Sequence, residues 1–350
     1  MKLNVFVLIL MASVVVGYPQ KPDRSFIDKV TGLQEIGRIA QEGIEFRRPR
    51  LSPDGRWIAL TSVSPEYALW IASMDDLKPR LLAKREDLAK VRQYSWSPDS
   101  QQIAYVDGRT VRLINVITKK VTSYTTVSPF MSDPVFNAEG SVAFVANTNL
   151  IGNQVALEGD VEKVKAMTPK DRPYLEVVSP NGKKQVIGDS AQLGGENIIV
   201  PYIFSPGGEV YLNINGEDRR ITPVKRISQS TIACLHAVLS PDKRKVAMEC
   251  VGTTLFVYEI LSEKKHVVGQ GTVGMTPCWS PDSEWILFLV SVEDGHVVFA
   301  TDLYISHYTG GRTVKLIRAK GWVHGVSWSK DNLIAYEQEG KIIVGKISMN

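Results

Sequence analysis

Cysteine and histidine are scarce in this chain. Three cysteines in 350 residues (Cys234, Cys250 and Cys278) cannot build a disulfide framework, and their odd number leaves at least one free or paired with another chain. Cys234 and Cys250 flank a predicted hairpin, so either these two pair or all three are buried packing residues. The five histidines, His236, His266, His296, His307 and His324, show no H-x-H, H-E-x-x-H or Cys-pair spacing. No metal and no cofactor is therefore expected. A glycine-rich phosphate loop is also missing: "GDSAQLGGEN" (Gly188 to Asn197) is followed by no helix and reads as a linker. No strong charge bias is present. The formal net charge is +4, and the densest basic group, "RRPR" from Arg47 to Arg50, is too short for a nucleic-acid footprint.

Long hydrophobic runs are lacking as well. The longest, Val5 to Val16 in "MKLNVFVLILMASVVVGYPQ", has 12 residues, too few to span a bilayer and suited to the apolar region of a signal peptide. Residues 1–17 are expected to be a cleaved export signal, with an uncleaved N-terminal anchor as the alternative. Residues 18–32 form a short N-terminal segment. The mature chain is then periplasmic or secreted, with no membrane span.

What the chain does have is repetition. A short word recurs: "LSPDGRWIAL" at Ser52, "WSPDSQQIAY" at Ser97, "FNAEGSVAFV" at Asn137, "FSPGGEVYLN" at Ser205, "LSPDKRKVAM" at Ser240, "WSPDSEWILF" at Ser280 and "WSKDNLIAYE" at Ser329. The separations are 45, 40, 68, 35, 40 and 49 residues, clustering near a four-stranded propeller blade. In five of the seven words proline presets the first turn position, and aspartate or glycine suits the positions after it; "FNAEG" and "WSKDN" depart from this. A large apolar residue precedes the turn and alternating apolar residues follow. A second hairpin follows most words, as in "YLEVVSPNGKKQVIG", which turns on Asn-Gly. The sequence thus predicts an all-β fold, a single β-propeller over residues 33–350 with seven four-stranded blades. Six remain possible if the compressed fourth repeat, "EVYLNINGEDRRITP", merges with a neighbour. The last repeat supplies only three strands, and "LQEIGRIA" (Leu33 to Ala40) is expected to pair beside "KIIVGKI", closing the ring between the termini.

Repeated "WSPDG…IA" words followed by a hairpin resemble the TolB-type, WD-like β-propeller repeat across nearly all of the mature chain, without the N-terminal TolB domain. The resemblance implies a periplasmic, non-enzymatic partner-binding role. The same repeat also precedes the hydrolase domain of prolyl-oligopeptidase-like peptidases, but no Gly-x-Ser-x-Gly elbow occurs here, and peptidase activity is not expected.

In a propeller the innermost strands begin at one mouth of the central channel. Residues four and five positions before each aligned word place Arg47, Arg48, Arg92, Asp133, His236 and His324 there, as candidate ligand-binding residues. Arginine forks suit carboxylate or phosphate; the plain alternative is polar capping of a water-filled channel. Two insertions fall on the same face, Asn147 to Pro173 in the third repeat and Ser291 to Asp302 in the sixth. The larger is either a lid or partner contact, or a tolerated surface insertion. The expected function is an exported, monomeric binding module for a protein or an envelope glycan. The alternative is a small lyase or hydrolase acting on an anionic sugar.

Overall fold

The word's serine and aspartate close their own turns. In the computed structural model of the chain, the Ser52 hydroxyl accepts the N–H of Trp57 at 2.9 Å and donates to Asp54 at 2.6 Å. Asp54 in turn accepts the N–H of Arg56 at 3.0 Å. The same serine-to-fifth-residue bond recurs at Ser97–Gln102, Ser240–Lys245 and Ser280–Trp285, between 2.9 and 3.0 Å. These bonds satisfy backbone donors that a tight turn would otherwise leave unpaired.

The structure describes residues 25–65, 67–84, 94–107, 110–125, 134–136, 140–146, 174–187, 203–204, 211–214, 217–220, 234–242, 244–250, 254–271, 277–294, 296–323 and 325–350. A short helix α1 (Ser25–Lys29) leads into β1 (Val30–Ile39). Sheet one is β2 (Glu45–Leu51), β3 (Trp57–Ser64), β4 (Ala68–Ser73) and β5 (Arg80–Lys84). Sheet two is β6 (Tyr94–Trp96), β7 (Gln102–Asp107), β8 (Thr110–Asn115) and β9 (Val121–Thr125). Sheet three is β10 (Val135–Phe136), β11 (Val142–Ala146), β12 (Tyr174–Val178) and β13 (Lys184–Ile187). Sheet four is β14 (Ile203–Phe204), β15 (Tyr211–Ile214) and β16 (Glu217–Arg220). Sheet five is β17 (Cys234–Leu239), β18 (Lys245–Cys250), β19 (Thr254–Glu259) and β20 (Lys265–Gln270). Sheet six is β21 (Cys278–Trp279), β22 (Trp285–Glu293), β23 (Val298–His307) and β24 (Thr313–Lys320). The last sheet is β25 (Val326–Trp328), β26 (Leu333–Gln338) and β27 (Lys341–Met349), completed by β1.

The expectation of seven four-stranded blades is therefore corrected. Among the described residues six sheets have four strands, and the sheet built on the fourth word has three. This repeat is the compressed one: β15 and β16 pair over only four residues each, and residues 221–233, which follow them, lie outside the described residues. All the pairings are antiparallel, as expected for successive hairpins.

The two ends of the chain meet in one sheet. β1 pairs with β27 in the register Leu33↔Ile347 and Ile39↔Ile342, so the N-terminal strand is the outer strand of the last sheet. It begins at Val30, somewhat before the expected Leu33, because Val30 and Ile39 are both buried and anchor the strand at either end.

The core lies in wedges between neighbouring sheets. Phe46, Ile58 and Leu60 of sheet one pack with Ala335, Ile342 and Val344 of the last sheet. Ala59, Leu69 and Ile71 of sheet one pack with Tyr94, Trp96 and Ile103 of sheet two. The aromatic before the word also reaches back: Trp96 Nε1 donates to the Arg50 carbonyl at 2.8 Å, and Trp279 Nε1 to that of Val238 at 3.2 Å. Each such tryptophan couples its inner strand to the preceding one while burying a large apolar surface. The resulting scaffold has two faces. One carries the words and the turns between third and fourth strands. The other, the mouth face, carries the turns between second and third strands and the links from sheet to sheet.

Candidate functional site

On the mouth face, sheet six stands out from its neighbours. β22 and β23 run 9 and 10 residues, against 6 each for β18 and β19. The expected insertion Ser291 to Asp302 is an extension of this hairpin, paired through Ser291↔Thr301, Val292↔Ala300 and Glu293↔Val298. Its tip turns on Asp294, whose carboxylate accepts the N–H groups of Val297 and His296 at 3.0 Å each. Those two bonds hold the carboxyl below the usual carboxylate range. The strand alternation buries Val298 and Ala300 and turns Phe299 outward, so the tip presents Phe299 at 53% and Val297 at 62% exposure. Trp322, 43% exposed, lies in the link just beyond Gly321, whose N–H donates to the Phe299 carbonyl at 2.9 Å.

Beneath this tip is a buried acid. Asp302 accepts two parallel bonds from Arg318, at 2.7 and 2.8 Å, with Lys315 at 3.7 Å and the Tyr304 hydroxyl at 3.4 Å. The Arg318 bonds, above the opposing effect of burial, hold Asp302 below the usual range. Burial and this carboxylate push the Tyr304 phenol up. Arg318 is thereby committed to its own sheet and braces the hairpin.

The face continues into the last sheet and sheet one. Gln338 donates to the Lys320 carbonyl at 3.4 Å, and Lys320 pairs with Glu339 at 3.7 Å. Gly340 then packs against Glu45 at positive φ; a Cβ there would lie 2.7 Å from the Glu45 side chain. Glu45 accepts from Arg47 Nη2 at 2.6 Å and Nε at 3.1 Å. Arg48 is the extra residue of a break in register between Arg47 and Arg50, with φ of 54°. Its carbonyl accepts the Tyr94 hydroxyl, and the Arg50 guanidinium lies 5.0 Å from the centroid of the Tyr94 ring.

Of the six expected mouth residues, the structure thus brings Arg47 and Arg48 together on one strand and gives Arg47 a carboxylate partner. Arg92, Asp133 and His324 lie outside the described residues. His236 sits in β17, its side chain outside them. Residues 1–17 and the 147–173 insertion are likewise outside. Cys234 and Cys250 are direct register partners across β17 and β18. Burial pushes the thiol of Cys278, a free cysteine, up to about 12. Among the described residues no three His, Cys, Asp or Glu side chains gather as a metal set. No described helix is long and apolar enough to cross a membrane.

Sequence reasoning missed a second polar cluster, on the opposite face between sheets five and six. Lys245 begins β18, at the register where Trp57 and Trp285 begin theirs, and that exchange was its only signal. Its ammonium, nearly buried, donates to the Ser283 carbonyl at 2.9 Å, Asp242 at 3.1 Å and Glu284 at 3.2 Å, and lies 4.5 Å over the Tyr308 ring. His307 Nδ1 accepts the Thr309 N–H at 3.2 Å, which puts the ring proton on Nε2, 3.4 Å from Glu284. His266 pairs with Glu259 at 2.7 Å. Burial, with the carboxylates of Glu259, Glu284 and Asp242, pushes the Tyr308 phenol up to about 12. Acids and bases here answer one another, so the cluster ties two sheets together.

No protein-family model matches the chain, and no curated protein matches it. Solved structures do. A chain of the mitotic checkpoint complex aligns at a TM-score of 0.58 and 12% identity, over 99% of this chain and 100% of that one. An oligogalacturonate lyase in complex with manganese aligns at 0.57 and 13%, over 92% and 96%. The β-propeller domain of Cps50 (Swd1) from Myceliophteria thermophila aligns at 0.54 and 13%, over 90% and 100%. TolB from Acinetobacter baumannii aligns at 0.47 and 14%, over 80% of this chain, which spans 56% of that one. At these identities the likenesses show the fold: the chain is a β-propeller.

Proposed function

We propose that the chain is an exported, monomeric binding module that presents its mouth face to a protein partner. The observation that carries this reading is the lengthened sheet-six hairpin, which holds Val297 and Phe299 out in solvent beside Trp322 on an Asp302–Arg318 brace. Large apolar side chains on a rigid scaffold, rimmed by charges such as Lys320 and Glu339, are the composition of an interface centre. An envelope glycan is the second occupant this face suits, since aromatic side chains stack on sugar rings. Export rests on the apolar run Val5 to Val16. An enzyme acting on an anionic sugar is less favoured, because Arg47 already answers Glu45.

The test is affinity capture from envelope extract, with the chain from residue 18 onward as bait and a Phe299→Ser/Trp322→Ser variant beside it. A protein retained by the parent and lost with the variant supports the reading. Identical retention by both folded baits overturns it.

A further inference from the structure

The inter-sheet position that Lys245 and Tyr308 fill between sheets five and six has a counterpart between sheets two and three, and there it is open. The equivalence follows from backbone bonds. Gln102 and Lys245 both donate their N–H to the word serine, at 2.9 and 3.0 Å. Asn115 and Glu259 both donate theirs to a lysine carbonyl five residues on, Lys120 and Lys264. The turns Ser179 to Gly182 and His307 to Gly310 close with the same bond, at 2.8 and 2.9 Å. Pro180 therefore stands where Tyr308 stands, and Thr122 where His266 stands. The smaller side chains leave a cleft of about 290 Å³.

We infer that this cleft binds a single sugar ring bearing a carboxylate. Its lining offers what such a ring needs. Gln102 supplies an amide and Thr118 and Thr122 hydroxyls, while Ser179, whose hydroxyl donates to Asn181 at 2.6 Å, offers its oxygen as an acceptor. The Asn115 carbonyl oxygen is taken by the N–H groups of Ile117 and Thr118 at 3.0 and 2.8 Å, so Asn115 offers its amide N–H₂. Tyr124, packed against the core cluster that holds Val111 and Phe136, and Pro180 supply apolar ring faces for the sugar C–H groups. Lys120 is the one charged group among the described lining residues, and no carboxylate stands among them. The volume, near the roughly 300 Å³ lower end of small-molecule sites, fits one ring and excludes a longer ligand from full burial. This site is separate from the mouth face and stands or falls independently of it.

The experiment is amide chemical-shift titration of the full-length chain with D-glucuronate and with D-glucose. Saturable shifts confined to Thr122, Gly140 and Gly182 are expected with glucuronate, with a Kd on the order of 1 mM. Glucose and the Lys120→Met variant should each bind at least about fivefold more weakly, about 1 kcal/mol. Pro180→Tyr, which installs the sheet-six residue, should abolish the shifts; Thr122→His serves as a second filling variant should the first disturb the fold. Absence of saturable shifts, or shifts that survive both filling variants, overturns the site. Equal affinity for glucose overturns the acidic assignment.

Discussion

Ser283 accepts the backbone N–H of Asp242 at 3.0 Å across the boundary between sheets five and six. Ser100 accepts that of Asp54 at the same distance between sheets one and two. In both cases the fifth residue of one word caps the turn of the preceding word. Both serines do so at positive φ, 64° and 60°, a conformation that costs any residue with a Cβ. Gly55 holds the same turn position at 72° without that cost.

This latch predicts an order of stabilities. Ser283→Ala keeps the backbone cost and loses the bond, and should destabilise by about 1 kcal/mol. Ser283→Gly loses the bond but relieves the backbone, and should recover on the order of 0.5–1 kcal/mol of that loss. Urea midpoints at unchanged slope decide it. An alanine variant as stable as the glycine variant would show that the backbone cost is absent.

The Asp54 carboxyl is lowered from 3.8 to about 2. Burial opposes the shift and is outweighed by the Ser52 hydroxyl, the Arg56 N–H and the Arg56 guanidinium. A depressed folded value means that the stabilisation is fully present above the ordinary aspartate range and is lost as pH falls from about 4 through 2. Asp54→Asn should flatten the pH dependence of stability in that window and leave the slope near neutrality unchanged. Unfolding midpoints between pH 2 and 5 test this, and parallel profiles for the two proteins refute it.

Ring closure predicts the effect of trimming. Removing residues 25–39 exposes the partners of buried Ile27, Val30 and Ile39 and strips β27 of its ladder. Three such side chains are worth about 1.5–3 kcal/mol each. A fall in Tm of about 10 °C is expected, together with self-association through the bared β27 edge. Light scattering during the melt reports the second effect. A monomeric variant melting with the parent would place the stability elsewhere.

Local chemistry determined much of this protein. Ser-Pro-Asp words specify turns through bonds within six residues, and apolar alternation specifies which face of each strand is buried. The pairing of Leu33 to Ala40 with the C-terminal strand was legible because only one strand was missing from the last repeat. Tertiary structure decided what depends on partners distant in sequence. Arg47 reads as an anion ligand until Glu45 is seen to answer it. Lys245 reads as a surface lysine until the Ser283 carbonyl, Glu284 and Tyr308 of the next sheet close over it. The fourth word leads into short strands, β15 and β16 of four residues each, because repetition sets where a turn begins and not how long the strands after it run. The open cleft beside Pro180 and the filled one beside Tyr308 differ by a few side-chain volumes. Volume between sheets is a property of two repeats together, which no single stretch of sequence carries.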